Sequence, residues 1–399
     1  MTEVRVIGAG LSGLATAWYL TEAGACVHVI EATSRAGGLI QTHRMPEGLV
    51  ETAANAFTSS PRVLALFSGA GVEACVPKPA ATRRYIFRGG RPRRWPLSPI
   101  ETSATVLRAG AAWISRRHRP DGAESLAAWG RRTLGRAAVE WVVAPAAQGI
   151  YAAPADALSA VAVLGGRRRG GILISPRRGM QELVDGLVET LRARGVRFSF
   201  GERAAAVDPT LPTAICTDAP SAALLLGSHA ARLADALGRI RRVSLISATA
   251  FFQPSPDDLS GFGVLFPRTS KVGALGVLFN TDIFSDRGDL RSETWIYGES
   301  SGAVAAGRLD EEDLRRRLDA DRAVLTGRAE RPVAVYMTPH PNALPLYDAA
   351  VLGAAAAIQE LPPTLALVGN WLGSIGLSRL VEAGAAAAAR LLRVDSVKS

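Results

Sequence analysis

The segment that most restricts what this chain can fold into lies in its first 40 residues. Glu3-Val4-Arg5-Val6-Ile7 is a short β-prone run ending in Gly8-Ala9-Gly10-Leu11-Ser12-Gly13, a G-x-G-x-x-G turn. A helical pattern follows, with Leu14, Ala17 and Leu20 on one face, and Gly24 stops it. A second β-prone run, Ala25 to Ile30, closes on Glu31. Each glycine has a mechanical reason to stand where it does. Gly8 permits the tight turn, Gly10 lets backbone N–H groups approach a pyrophosphate, and Gly13 lets helix and strand pack closely. The helix N-terminus adds its dipole and its unsatisfied N–H groups. Glu31, about 20 residues further on, can accept hydrogen bonds from ribose hydroxyls. The unit predicts dinucleotide binding without choosing between FAD and NAD.

The remaining composition sets bounds rather than a function. With 399 residues the chain has room for two or three domains of about 100–200 residues each. An apolar fraction of 48% beside 21% charged residues is that of a globular protein. Net charge is +10, and of 46 basic residues only Lys78, Lys271 and Lys398 are lysine. Arginine suits bidentate capture of carboxylates and attraction to anionic membranes; it equally suits a GC-rich genome. Cys26, Cys75 and Cys216 are scattered and odd in number, which points to a reducing compartment. No secretory pattern precedes Val4, and no charge-free apolar run reaches about 18–20 residues. The expected location is cytoplasmic, with peripheral contact at the inner membrane face allowed. No nucleic-acid partner is expected, and a homodimer is among the allowed arrangements. The five histidines lack metal-like or triad-like spacing: His28 and His43 read as strand residues, His118 and His229 as helical, His340 as a loop residue. Neither a metal nor a side-chain catalyst is expected.

Further along, Gly48 to Phe57 reads as a strand entering a turn, and Arg83 to Gly90 as a strand and tight turn. Residues 95–165 read as helical, with Val106, Leu107, Gly110, Trp113 and Ile114 on one face before Arg116-Arg117-His118-Arg119. An apolar face with a basic end suits a membrane surface as well as a packed position. A helix is expected from Gly179 to Leu191, a strand from Val196 to Phe200, and strand-rich sequence over 241–298. A charged helix at 310–325 and a strand from Pro332 to Met337 come next. The chain closes with a strand, Leu365 to Val368, then Gly369-Asn370 and a helix from Arg379 to Arg393. A second strand–turn–helix some 300 residues after the first implies a dinucleotide domain assembled from separated segments.

Beyond Glu31, Arg35-Ala36-Gly37-Gly38 completes E-x-x-x-R-x-G-G, which resembles the signature of the FAD-dependent amine oxidase and desaturase superfamily. Within it the chain resembles the protoporphyrinogen oxidases nearly end to end. The resemblance rests on Arg84 to Gly90, Gly149-Ile150-Tyr151-Ala152-Ala153-Pro154 with Leu158-Ser159, and Arg178-Gly179-Met180-Gln181-Glu182-Leu183. It continues in Gly261 to Arg268 with Gly276 to Phe279, in Asn342 to Tyr347 read as a turn, and in Gly369-Asn370 through Gly384.

The resemblance implies an α/β protein with α+β inserts: a discontinuous, doubly wound, Rossmann-like FAD domain (1–80, 175–240, 346–399), a mixed-sheet substrate domain (81–94, 241–345) and a small helical, membrane-facing subdomain (95–174). FAD contacts would fall on Gly8, Ala9, Gly10, Leu11, Ser12, Gly13, Glu31, Ala32, Arg35, Gly37 and Gly38. They would continue at Ala53, Ala54 and Asn55, a strand near Ala204, Gly369, Asn370, Ile375, Gly376 and Leu377. Substrate contacts would fall on Arg84, pairing with a propionate, and on Phe262, Gly263, Leu265 and Ile296. The implied reaction is oxidation of protoporphyrinogen IX by hydride transfers to the flavin, with O₂ as acceptor. The family commonly has Gly-Pro where Ala53-Ala54 stand, and the interval from Leu158 to Arg178 is shorter than usual. The alternatives are oxidation of coproporphyrinogen III, to which arginines at 83–94 and 167–169 are suited, another amine or polyene oxidation, and a non-catalytic flavin-binding homologue.

Overall fold

The computed structural model describes residues 3–122, 124–165, 170–299, 310–373 and 375–395; the arginines at 167–169 lie outside them. The chain opens with β1 (Glu3–Ile7), α1 (Leu11–Glu22), β2 (Cys26–Glu31), β3 (Thr42–Met45), β4 (Gly48–Glu51), β5 (Phe57–Thr58), α2 (Pro61–Gly69) and β6 (Ala74–Cys75). Then come β7 (Arg84–Arg88), β8 (Arg91–Arg93) and five helices: α3 (Pro99–Ile114), α4 (Leu126–Thr133), α5 (Arg136–Ala138), α6 (Ala144–Tyr151) and α7 (Ala160–Leu164). β9 (Leu173–Pro176), α8 (Met180–Ala193), β10 (Arg197–Phe200), β11 (Thr213–Ile215), α9 (Ala219–Leu226) and α10 (Ala231–Gly238) follow. The last third holds β12 (Arg242–Phe252), β13 (Gly263–Leu265), β14 (Gly276–Phe279), α11 (Asn280–Ile283), β15 (Arg291–Gly298) and α12 (Glu311–Thr326). It ends with β16 (Ala334–Pro345), α13 (Ala349–Ala357), β17 (Leu365–Leu367) and α14 (Leu377–Asp395).

Five strands form a parallel sheet in the order β10-β2-β1-β11-β17. Side chains alternate across it, as strand geometry requires. Val6, Ala214 and Ala366 enter the core shared with α1, α8 and α14, while Ile7, Ile215 and Leu367 enter the opposite core, under α9, α10 and α13. The sheet is doubly wound, as anticipated, with strands drawn from three distant stretches of chain. Fully buried Leu14 and Val29 each contribute about 1.5–3 kcal/mol.

A seven-stranded mixed sheet, β16-β12-β15-β14-β13-β7-β8, forms the second layer system; only β13 and β7 pair in parallel. Phe87, Val264, Val277, Trp295 and Tyr297 point to one face, where Leu314 and Leu318 of α12 cover them. The opposite face carries Arg84, Gly263, Leu265 and Ile296, in register across β7, β13, β14 and β15.

Two local expectations are corrected. β16 does not stop at Met337 but runs to Pro345, through the segment read as a turn. It is an outer strand of the sheet, where proline's missing N–H costs no ladder bond. His340 is therefore in a strand and buried. His118, read as helical, lies in a turn beyond α3, its ring stacked on Trp113 at 4.4 Å.

The helix α3 begins where its sequence says it should. Ser98 caps it, Pro99 occupies the first turn, and Glu101 completes a capping box. Its outward apolar residues, however, are left in the open: Ile100, Leu107, Trp113 and Ile114 are 83%, 74%, 69% and 85% exposed. Among the described residues no helix is long and apolar enough to cross a membrane.

Candidate functional site

The N-terminal turn has the shape that phosphate binding needs. Gly8 sits at φ +101°, and a Cβ on Gly13 would stand 1.8 Å from the Gly8 carbonyl oxygen, so α1 and β1 can meet only with glycine there. Gly10 forms the N-cap of α1 with no side chain to satisfy the first N–H groups, and a Cβ on it would meet nothing within 4 Å. The donors of Leu11, Ser12 and Gly13 thus face open room. Glu31 ends β2 with one carboxylate oxygen accepting the Ala9 N–H at 2.7 Å and the other accepting the N–H and hydroxyl of Thr33. Ala32 follows it, exposed. Arg35 turns its guanidinium back onto the carbonyls of Ala36, Gly38 and Ile40 and holds its own loop in place. That loop lies against the turn, with the Gly37 N–H donating to Ala9. A Cβ on Gly38 would touch Gly10 at 3.4 Å.

Ala204 is a correction. β10 ends at Phe200, opposite Glu31, because β2 has no further residue to pair with it. Gly201, at φ +71°, then turns the chain, and residues 202–207 form no strand. Ala204 lies on unpaired backbone.

The second wall comes from 51–56. Thr52 is fixed three times: its N–H donates to Gln41, its hydroxyl to Leu39, and its carbonyl accepts from His340 at 2.6 Å. Ala53 and Ala54 follow, half-buried, without hydrogen-bond partners among the described residues. The Asn55 side-chain amide donates to Oδ1 of Asn280 at 3.2 Å, and the Asn280 amide donates to the hydroxyls of Ser292 and Thr294 of β15. The side-chain Oδ1 of Asn55 is buried with no hydrogen-bond partner among the described residues. Below the turn, Glu51 and Arg287 form a buried pair at 3.2 Å. Burial pushes the Glu51 carboxyl up and the Arg287 guanidinium down, while each is partly offset by the other.

The third wall is the chain's return. The Gly369 position admits only glycine, since a Cβ would meet the Trp371 ring nitrogen at 2.2 Å. Trp371 donates to Thr217, and Tyr347 donates to the Asn370 carbonyl. Ile375 and Gly376 lead into α14, which starts at Leu377, and the Gly376 carbonyl accepts the Arg379 N–H. Ser378 fastens this helix start to both backbone groups of Thr58. α14 then crosses α1 closely, a Cβ on Gly384 falling 3.0 Å from the Thr16 nitrogen. Free helix N–H groups, an open space over Gly10, the carboxylate of Glu31 and the unpartnered Oδ1 of Asn55 fit a dinucleotide cofactor.

On the mixed sheet, Arg84 stacks its guanidinium on Phe262 at 4.4 Å. It is exposed and makes no ion pair among the described residues. Beside it Gly263, at φ +152°, leaves 2.0 Å between a notional Cβ and the Val277 carbonyl. Leu265 packs toward Gly149 of α6, and Ile296 stands across Gly276. His340, Asn280 and the Glu51–Arg287 pair were not anticipated. Each has a partner more than 200 residues away (Thr52 for His340, Asn55 for Asn280, Glu51 for Arg287), beyond the reach of any local pattern.

His28 and His340 share a pH consequence. Burial lowers both below the usual histidine range, His28 with help from Arg197 and His340 against its bond to Thr52. The unfolded chain then binds more protons than the folded one below about pH 6.5. Stability is expected to be full above that pH and to fall as pH drops through it toward the folded-state values. Thermal melting between pH 8 and 5 checks this; a flat or inverted profile contradicts it.

Comparison with known proteins gives the lineage. The model of the family described as flavin containing amine oxidoreductase matches residues 11–224. Protoporphyrinogen oxidase 2, chloroplastic/mitochondrial, of Arabidopsis thaliana is 26% identical over 475 aligned positions, covering 97% of this chain and 93% of that one. Coproporphyrinogen III oxidase of Propionibacterium freudenreichii is 33% identical over 176 positions, 40% of this chain and 33% of that one. Among solved structures, cyclohexylamine oxidase of Brevibacterium oxydans superposes with a TM-score of 0.75 at 17% identity, over 100% of both chains.

Proposed function

The chain belongs to the flavin containing amine oxidoreductase family, and from that premise we propose that it is an FAD-dependent oxidase of protoporphyrinogen IX. One observation carries the substrate reading. Arg84, a guanidinium with no carboxylate partner among the described residues, stands on an aromatic ring beside a strand position that only glycine can occupy. A planar fork of N–H donors held on Phe262 is suited to a propionate, and Gly263 lets a flat macrocycle approach the backbone. The near full-length similarity to a plant protoporphyrinogen oxidase supports the same reading.

FAD, when bound, supplies the electron sink for oxidising a methylene bridge. The protein's own work is placement. Gly8 to Gly13 and the start of α14 would hold the phosphates, Glu31 the ribose, and Ala53 to Asn55 the ring. Arg84 orients the substrate edge, and Leu265 and Ile296 keep its face dry, so the reacting carbon is held in one geometry. Three rounds, each removing a hydride and a proton, take porphyrinogen to porphyrin, and three O₂ leave as three H₂O₂.

Coproporphyrinogen III is the second reading, favoured by the partial similarity to a coproporphyrinogen oxidase. Its extra carboxylates need extra cations, and the arginine-rich stretch offers fewer than its sequence suggests. Arg88 is committed to Glu101 through two bonds of 2.6 and 2.8 Å, holding that carboxyl down to about 2, and Arg83 is bonded to Ser260. Anaerobically prepared porphyrinogens decide between the two. Porphyrin fluorescence should rise above autoxidation with protoporphyrinogen IX, with matching H₂O₂. A rise with neither substrate sinks both readings, and a preference for coproporphyrinogen III selects the second. For Arg84→Ala, KM is expected to rise about 10- to 100-fold, in line with a lost charge-assisted bond, at little change in flavin content. Loss of flavin instead would place Arg84 in the cofactor site.

The exposed face of α3, next to Arg116, Arg117 and Arg119, supports a peripheral position on an anionic membrane. Sedimentation with phosphatidylglycerol vesicles is expected for the native chain and lost in Trp113→Glu/Ile114→Glu. Equal sedimentation of both would remove the membrane from the proposal.

A further inference from the structure

We propose that His340 is a positioning residue for the cofactor: by gripping the Thr52 carbonyl it turns the Ala53 N–H into the flavin cleft as a donor to the isoalloxazine ring. The inference uses the family's flavin and is independent of which substrate is oxidised.

Three observations carry it. The first is that the strand delivers His340 in register: β12 and β16 pair without a break from Phe251–Ala334 to Leu245–His340, so His340 shares a face with Tyr336 and Thr338. Between the pairs Val243–Leu344 and Leu245–His340, β12 advances two residues while β16 advances four. The ladder breaks only beyond His340, in a bulge that ends its regular pairing. Asn342, inside it, adopts φ +50°, and its N–H is taken by the Ser244 hydroxyl rather than by the ladder. The bulge has its own support, and His340, the last residue before it, presents a buried imidazole 2.6 Å from a carbonyl 288 residues away in sequence.

The second observation fixes the proton. A carbonyl only accepts, so Nε2 of His340 must carry the hydrogen. Burial favours the neutral ring, which leaves Nδ1 bare and the donor on the side facing Thr52.

The third concerns the peptide that is held. In a trans peptide the C=O and the following N–H point in opposite directions. No cis bond occurs among the described residues. Holding the Thr52 oxygen toward His340 therefore sends the Ala53 N–H the other way. Thr52 is fixed by bonds to Gln41, Leu39 and His340, whereas Ala53 and Ala54 have no partner among the described residues. The turn is immobilised at its root and has unspent donors at its middle, as expected of a turn that presents its backbone to a ligand. The alanines suit such a use: they add little bulk and no competing polar group.

The test compares His340→Ala, His340→Gln and His340→Phe with the native chain. FAD is titrated into each apoprotein, and the flavin absorption spectrum and midpoint potential of each loaded protein are measured. Gln places an amide N–H near the position of Nε2, whereas Phe keeps the ring and removes the donor. Ala and Phe are expected to weaken FAD binding about tenfold, to shift the flavin bands, and to lower the potential, since a lost donor no longer favours the electron-rich reduced ring. Gln is expected to recover most of all three. Native affinity, spectrum and potential in the Phe variant would overturn the proposal. So would a Gln variant that melts like the native protein yet behaves like Phe. Should Ala fail to fold, the Gln–Phe pair still decides. A native chain that takes up no flavin would overturn this inference together with the family's cofactor, whereas inactivity toward porphyrinogens with normal flavin uptake would leave it standing.

Discussion

Replacing Arg287 with Met is expected to destabilise the protein by about 3–5 kcal/mol at neutral pH, the largest stability loss foreseen for a single side chain here. Arg287 is buried, donates to Glu51 at 3.2 Å and to the Ser175 hydroxyl at 2.7 Å, and thereby joins β4 to β9. Glu51 in turn accepts from Thr42 and from the Met180 N–H at the start of α8. Removing the guanidinium leaves a buried carboxylate with no cation. Burial already raises Glu51 and lowers Arg287, so the pair costs more desolvation than it returns as attraction. The cost should therefore lie in breaking the pair rather than in lacking it. Arg287→Met with Glu51→Gln should recover most of the loss, and a double-mutant cycle by urea unfolding measures the coupling. Additive losses would refute that account.

Gly13→Ala should leave a chain that does not retain flavin. The added methyl would sit 1.8 Å from the Gly8 oxygen and 3.4 Å from Val6, so α1 must move off β1 and carry its N–H groups with it. Affinity is expected to fall at least about 100-fold, or ~2.8 kcal/mol. Gly10→Ala supplies the contrast. Its methyl meets nothing in the protein and its φ of −67° is ordinary, so the fold should melt as before while cofactor is lost to crowding of the phosphates. Flavin content and apoprotein melting temperature separate the two, and native flavin content in Gly13→Ala would contradict the packing argument.

What could be read from residues alone was what depends on near neighbours. The βαβ unit was legible because its glycines, its helix face and Glu31 act within 31 residues of one another. The strand-rich character of 241–298 was legible for the same reason. The position of Ala204 was not, because whether a segment pairs depends on the length of its partner, and β2 stops at Glu31. The full extent of β16 was hidden by its prolines, which are tolerated only because no further strand pairs with it on that side. His340 read as a loop residue because nothing near it in sequence needs an imidazole; its partner is Thr52. Asn55 and Asn280, 225 residues apart, present the same difficulty.

The parallel sheet also dictates an order of events while the chain is being made. β1 lies between β2, which follows it after the single helix α1, and β11, whose far side waits for β17 at 365–367. A ribosome releasing residues in order exposes the unpaired edge of β11 and the apolar face of α1 for some 150 residues of further synthesis. Parallel, long-range pairing is slow and leaves such surfaces open to misassembly. The proposed cofactor site, whose walls come from both ends of the chain, can close only after α14 has emerged and crossed α1. Truncations that remove α14 should thus produce an aggregating chain, even though nearly every residue of the N-terminal motif is intact.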